Sequence, residues 1–146
     1  MEPGEDPEAC ALRETREELG IDPARVRVLG QLDFVAHRAN FIMYPVLGVV
    51  EEETLAELAP NPPEVDEVFL VPLDYLRRTP PEEYEYEVLP RMGADFPYRQ
   101  LGITPDYNWR AAKERGPYWI WEGHTVWGLT GKITRRLLRL LKEWEL

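Results

Sequence analysis

Three glutamates, Glu14, Glu17 and Glu18, stand at i, i+3 and i+4 in a stretch built to be helical. Asp6 suits an N-cap and Pro7 the first helical position. Residues 7–19 are mostly strong helix formers, and Gly20 supplies the stop. A helix over 7–19 puts the three carboxylates on one face. Like charges at that spacing repel by roughly a few tenths of a kcal/mol per pair. The face is therefore either well solvated or neutralised by something positive. Taken alone, the spacing is the more ordinary mark of a solvated acidic surface. A hard divalent cation with oxygen ligands is the chemical alternative, and Mg²⁺ is its commonest form. Two such ions about 4 Å apart would clamp the attacking and leaving oxygens of a phosphoryl transfer.

Composition narrows the rest. A chain of 146 residues with 44% hydrophobic and 30% charged residues suits a single packed domain, 1–146. Seventeen basic against 27 acidic side chains give a formal charge of -10, which disfavours nucleic acid as a partner. One cysteine, Cys10, excludes an internal disulfide, and the absence of serine excludes Ser-His-Asp chemistry. No apolar run reaches the 18 or so residues of a membrane span, and the acidic start lacks a signal-peptide core. The expectation is a soluble, cytoplasmic protein with no membrane partner.

Strand character is read at 26–29 and 32–36, and in the apolar run 41–50, which Pro45 interrupts. A short acidic helix is expected at 51–58, a loop at Asn61-Pro62-Pro63, a buried strand at 68–71 and a brief helix at 73–78. Residues 79–117, punctuated by prolines, read as a long loop with a hairpin near 84–89. Residues 118–121 read as a strand. Residues 129–144 read as the clearest amphipathic helix, with Leu129, Ile133, Leu137, Leu140, Leu141 and Trp144 recurring at three and four. Gly128-Leu129-Thr130-Gly131-Lys132 is no phosphate-binding loop, because Val126 and Ile133 stand where that motif needs Gly and Ser or Thr. The mixture of strands and helices implies an α/β or α+β fold.

The wider pattern around the glutamates resembles the signature of the Nudix hydrolases. That signature runs Gly, five residues, Glu, seven residues, then Arg-Glu-aliphatic-any-Glu-Glu-any-Gly-aliphatic. Here Glu5 is followed by seven residues and then Arg13-Glu14-Thr15-Arg16-Glu17-Glu18-Leu19-Gly20-Ile21. Thr15 departs from the aliphatic position, and the leading Gly would fall before Met1. The resemblance implies that Glu14, Glu17 and Glu18 ligate Mg²⁺ or Mn²⁺ and carry catalysis. It implies that Arg13 and Glu5 are ionic partners, and that Gly4 and Gly20 are conformational. It implies a mixed β-sheet sandwich with flanking helices, here missing N-terminal strands. Open sheet edges or a shallow site near Glu14 are the expected consequence, and such edges would admit a homodimer.

Downstream, Leu29-Gly30-Gln31-Leu32-Asp33, Asn61-Pro62-Pro63-Glu64-Val65-Asp66-Glu67, Asp95-Phe96-Pro97-Tyr98 and Val126-Trp127-Gly128-Leu129-Thr130 resemble the coenzyme A pyrophosphatase branch. That branch cleaves coenzyme A and its thioesters to 3′,5′-ADP and a 4′-phosphopantetheine. The implied substrate is a small nucleotide of the coenzyme A class. ADP-ribose or NADH, or nucleotide binding without turnover, are the alternatives. Outside the signature, Glu64 is a candidate general base, with a surface carboxylate as the plainer reading. Arg38 and Arg110 are candidate phosphate contacts, and Tyr107 and Trp109 candidate stacking residues. Salt bridges and core packing explain those four as readily.

Overall fold

The structure is a computed structural model that describes residues 1–37 and 40–144. The chain divides into two compact units, Met1–Pro72 with Arg139–Leu146, and Leu73–Leu138.

The first unit opens with α1, Pro7–Leu19, which begins and ends where its caps dictate. The Asp6 carboxylate accepts from the Ala9 amide at 2.8 Å. Gly20 closes the helix in the left-handed conformation at φ 73°, donating its amide to the Arg16 carbonyl. Strand β1, Arg27–Gln31, pairs antiparallel with β4, Val46–Val49, with an irregular register between Val28 and Gly30. Strand β2, Val35–His37, pairs antiparallel with β3, Phe41–Met43. Pro45 separates β3 from β4, as its missing amide requires. Ala11, Leu12 and Thr15 of α1 face Val26, Val28 and Val46 across a narrow cleft. Thr15 donates its hydroxyl to the Ala11 carbonyl at 2.7 Å, which satisfies the polar atom on this packed side. Helix α2, Glu52–Ala56, falls within the expected acidic segment.

Residues 68–71 form no strand. Phe69 and Leu70 are exposed, Leu70 by 60%, and no neighbouring strand pairs with them among the described residues. An apolar run becomes a strand only where another strand takes up its amides and carbonyls.

The second unit begins with α3, Leu73–Arg78. Strand β5, Glu82–Val88, is not half of a local hairpin. It pairs antiparallel along its whole length with β6, Ala112–Trp121, from Glu82↔Tyr118 to Val88↔Ala112. Strand β6 is therefore much longer than 118–121, and its other side carries β7, His124–Val126. The ladder is knit by charge: the Glu85 carboxylate accepts from Lys113 at 2.8 Å and from Arg115 at 2.6 Å. Between the paired strands, residues 89–111 hold the one-turn helix α4, Tyr98–Leu101.

Helix α5, Gly128–Trp144, packs its start on β6. Gly131 makes that possible, since a Cβ there would lie 2.6 Å from the Pro117 carbonyl oxygen. Pro117, Trp119 and Val126 are buried, Trp119 leaving 2% exposed, with its indole N–H on the Thr79 carbonyl at 2.9 Å. Strand order β1-β4, β2-β3 and β5-β6-β7 leaves open edges on each sheet among the described residues.

Candidate functional site

The chemistry-bearing residues of the first unit gather on α1 and the two segments that touch its ends. Upstream, residues 2–5 make a turn in which Gly4 takes φ 87° and the Glu5 amide reaches the Glu2 carbonyl at 3.1 Å. A left-handed φ is where glycine is favoured. The turn aims the Glu5 carboxylate back at α1. One of its oxygens accepts from Arg13 Nε at 2.9 Å, and the other from Arg13 Nη2 at 3.1 Å and from the Glu2 amide at 2.8 Å. This is the two-pronged fit of a guanidinium to a carboxylate. Its effect on the acid is large: the Arg13 hydrogen bonds, helped by the Glu2 amide, bring the Glu5 pKa down from 4.5 to about 2. The same contacts, Glu5 first and Glu14 next, push Arg13 upward.

Arg13 does not stop at Glu5. Its Nη2 lies 2.9 Å from Glu14 Oε1, and its Nη1 donates to Glu17 Oε2 at 2.9 Å. One guanidinium thus touches three carboxylates. Glu18, next along the same face, is exposed. Glu14 and Glu17 are about half exposed, at 46% and 53%.

The face fits a hard cation by the chemistry of its donors, which are all carboxylate oxygens on one side of a helix. As placed, the side chains are not converged. Among the described residues no three His, Cys, Asp or Glu side chains stand close enough together to hold a metal. The positive partner at Glu14 and Glu17 in this arrangement is Arg13.

At the other end of α1, residues 59–61 dock on the helix terminus. The Ala59 amide donates to the Leu19 carbonyl at 2.9 Å and the Asn61 amide to the Glu18 carbonyl at 2.8 Å. A Cβ on Gly20 would sit 2.9 Å from that of Ala59, so Gly20 both ends the helix and admits this loop. Asn61 then holds Glu64, through its side-chain amide at 3.2 Å and its carbonyl, which accepts the Glu64 amide at 3.0 Å. The loop that carries Glu64 is therefore tied to the carbonyl of Glu18. Asn61 is the residue that sequence reasoning passed over. Its signal was present, since an Asn before prolines is a turn former that bonds its own backbone neighbours. An open groove of about 450 Å³ flanks the N-terminal half of α1, with Cys10, Ala11 and Glu14 on one side and Phe41, Ile42 and Tyr44 on the other.

The remaining candidates divide. Arg38 lies outside the described residues. Tyr107, Trp109 and Arg110 belong to the second unit. There Trp109 packs edge-on against Tyr107 at 5.0 Å and Phe96 at 6.1 Å, while Arg110 is exposed.

Residues 1–92, which contain both ends of this arrangement, match the NUDIX domain model. The chain belongs to the Nudix family. Its α/β architecture of helices and antiparallel sheets accords with that membership. It is similar to mitochondrial coenzyme A diphosphatase NUDT8 of Mus musculus, 36% identical over 131 residues, covering 90% of this chain and 53% of the relative. Peroxisomal coenzyme A diphosphatase NUDT7 of Mus musculus is 37% identical over 91 residues, covering 62% and 37%. Nudix hydrolase 3 of Caenorhabditis elegans is 30% identical over 148 aligned positions, covering 97% and 57%. The chain spans about half the length of the first relatives it matches. No helix among the described residues is long and apolar enough to cross a membrane.

Proposed function

We propose that this Nudix chain is a metal-dependent pyrophosphohydrolase acting on coenzyme A or acyl-coenzyme A. The observation that carries the reading is the carboxylate face of α1, with Arg13 anchored on Glu5 beneath it, inside the segment that matches the family. The substrate class is taken from the two similar coenzyme A diphosphatases.

Glu14, Glu17 and Glu18 would hold Mg²⁺ or Mn²⁺ through their oxygens. When bound, such an ion neutralises charge on the pyrophosphate and lowers the pKa of a coordinated water. The reaction is a displacement by water at phosphorus. A P–O bond forms to the water oxygen, the bridging P–O bond breaks, and the products are 3′,5′-ADP and (acyl-)4′-phosphopantetheine. Glu64 is assigned as the base that takes the water's proton, because Asn61 ties its loop to the end of α1. Arg13, Glu5, Gly4 and Gly20 set the helix and its two flanking segments in place.

The test is a substrate panel. Coenzyme A, ADP-ribose and NADH are each incubated with the chain and Mg²⁺ or Mn²⁺, and the products are separated by chromatography. Preferential release of 3′,5′-ADP from coenzyme A is the expected result. Preference for ADP-ribose or NADH would keep the hydrolase and overturn the substrate. Binding of a nucleotide with no turnover of any of the three would overturn the enzyme.

A further inference from the structure

Exposed apolar side chains gather beside α1. Phe41 and Ile42 of β3 are 41% and 54% exposed, and Tyr44, just beyond, is 37% exposed. Apolar surface gathered in one patch marks a ligand or partner site. Neighbouring rings hold these side chains: Phe41 stacks on His37 of β2 with centroids 4.7 Å apart, and Tyr44 tilts against Phe34 at 6.3 Å. The segment forms one wall of the open groove of about 450 Å³. That volume lies in the range of small-molecule sites.

The other wall is a line of α1 side chains. Pro7, Cys10, Ala11 and Glu14 fall at helical spacing on one side, and the line continues into Glu17 and Glu18. Glu14 therefore belongs both to the groove and to the carboxylate face. It is the one charged side chain among the groove's described lining residues. From Pro7 to Glu14 the helix rises about 10 Å. The groove is thus an apolar trough along the helix that ends on a carboxylate.

We infer that this trough seats the 4′-phosphopantetheine half of the substrate, with Phe41 and Ile42 as specificity-determining residues. The inference rests on the proposed hydrolysis of coenzyme A at the α1 face. With the pyrophosphate at Glu14, the trough takes the half that leaves towards the start of the helix. The pantetheine arm is a linear chain whose first segment carries two methyl groups. Its methyls and methylenes can lie on Phe41 and Ile42 while its amides face the open side. The nucleoside half carries a charged 3′-phosphate and a hydrogen-bonding base edge, which apolar walls and a carboxylate leave unpaired.

The two products of the proposed reaction are those two halves, so each can be offered alone. In ¹³C-methyl spectra of the wild-type chain with Mg²⁺, 4′-phosphopantetheine is expected to shift the Ile42 methyl signals saturably. The same titration with 3′,5′-ADP is expected to leave them in place. Ile42→Asn assigns the signals by their loss. It is also expected to bind 4′-phosphopantetheine roughly tenfold more weakly, the scale of two methylenes returned to water. Leu70→Asn, a change at a comparably exposed side chain outside the groove, should bind as wild type.

Ile42 shifts caused by 3′,5′-ADP would assign the trough to the nucleoside half and overturn the inference. An Ile42 signal that moves when the unliganded chain is diluted would give the trough to a second copy and overturn it too. Equal weakening in Leu70→Asn would have the same consequence. The substrate panel keeps the two readings apart. Release of 3′,5′-ADP from coenzyme A, with Ile42 signals that ignore 4′-phosphopantetheine, would overturn the trough and leave the hydrolase standing. No release from coenzyme A would overturn the hydrolase and the inference with it.

Discussion

Among single residues, Glu5 and Arg13 hold the turn before α1 against the helix. Glu5 titrates at about 2 in the folded chain against an ordinary 4.5, chiefly because Arg13 donates to both its oxygens. A depressed folded pKa means that the unfolded state binds its proton first as pH falls. The stabilisation from Glu5 is therefore complete above about 4.5 and is lost as pH falls from 4.5 towards 2. Thermal melts should show wild type losing stability over that window more steeply than Glu5→Gln, which has no such proton to take up. Parallel pH curves would contradict the clamp. The three glutamates were legible as one face of a capped helix, whereas the pairing of Arg13 with Glu5, which precedes the helix, was implied by the resemblance to the Nudix signature. The reach of Arg13 to Glu17 was also open to view as an i, i+4 pair. Its simultaneous hold on Glu14 was not, since spacing does not say which rotamer a long side chain takes.

At the scale of elements, local signals and long-range ones part company. Helix α1 is framed by Asp6, Pro7 and Gly20, and α5 by its apolar period, so both lie where the sequence puts them. The two halves of the 41–50 run are likewise set by Pro45. The β5–β6 ladder was missed because its partners are separated by residues 89–111, and nothing local encodes that pairing. The run at 68–71 failed in the opposite sense, apolar enough for a strand but in no sheet among the described residues. The packing of α5 on β6 also hides in the sequence, in a glycine that looked like part of a decoy motif. Alanine at 131 would gain about 1 kcal/mol in helix propensity. It would also drive a methyl to 2.6 Å from the Pro117 carbonyl oxygen, a backbone atom that cannot swing aside. Gly131→Ala is therefore expected to destabilise the chain by about 1 kcal/mol or more in urea titration. A gain in stability would show that α5 is not seated on β6 as described.

At the scale of the whole molecule, an excess of acidic over basic side chains gives a net charge of -10, with several glutamates on the open edge strand β5. Charge on an exposed edge discourages strand-to-strand association between copies. The same excess makes a carboxylate cluster on α1 costly unless cations offset it, and this connects the charge of the molecule to its proposed chemistry. The proposed activity is hydrolysis of the coenzyme A pyrophosphate at the α1 face. The most direct measurement is the rate of 3′,5′-ADP release from coenzyme A with Mg²⁺, for wild type and for Glu17→Gln at matched helix content. A fall on the order of 10²-fold or more is expected in the variant, the scale of losing transition-state charge stabilisation. Release that is unchanged in Glu17→Gln would contradict it.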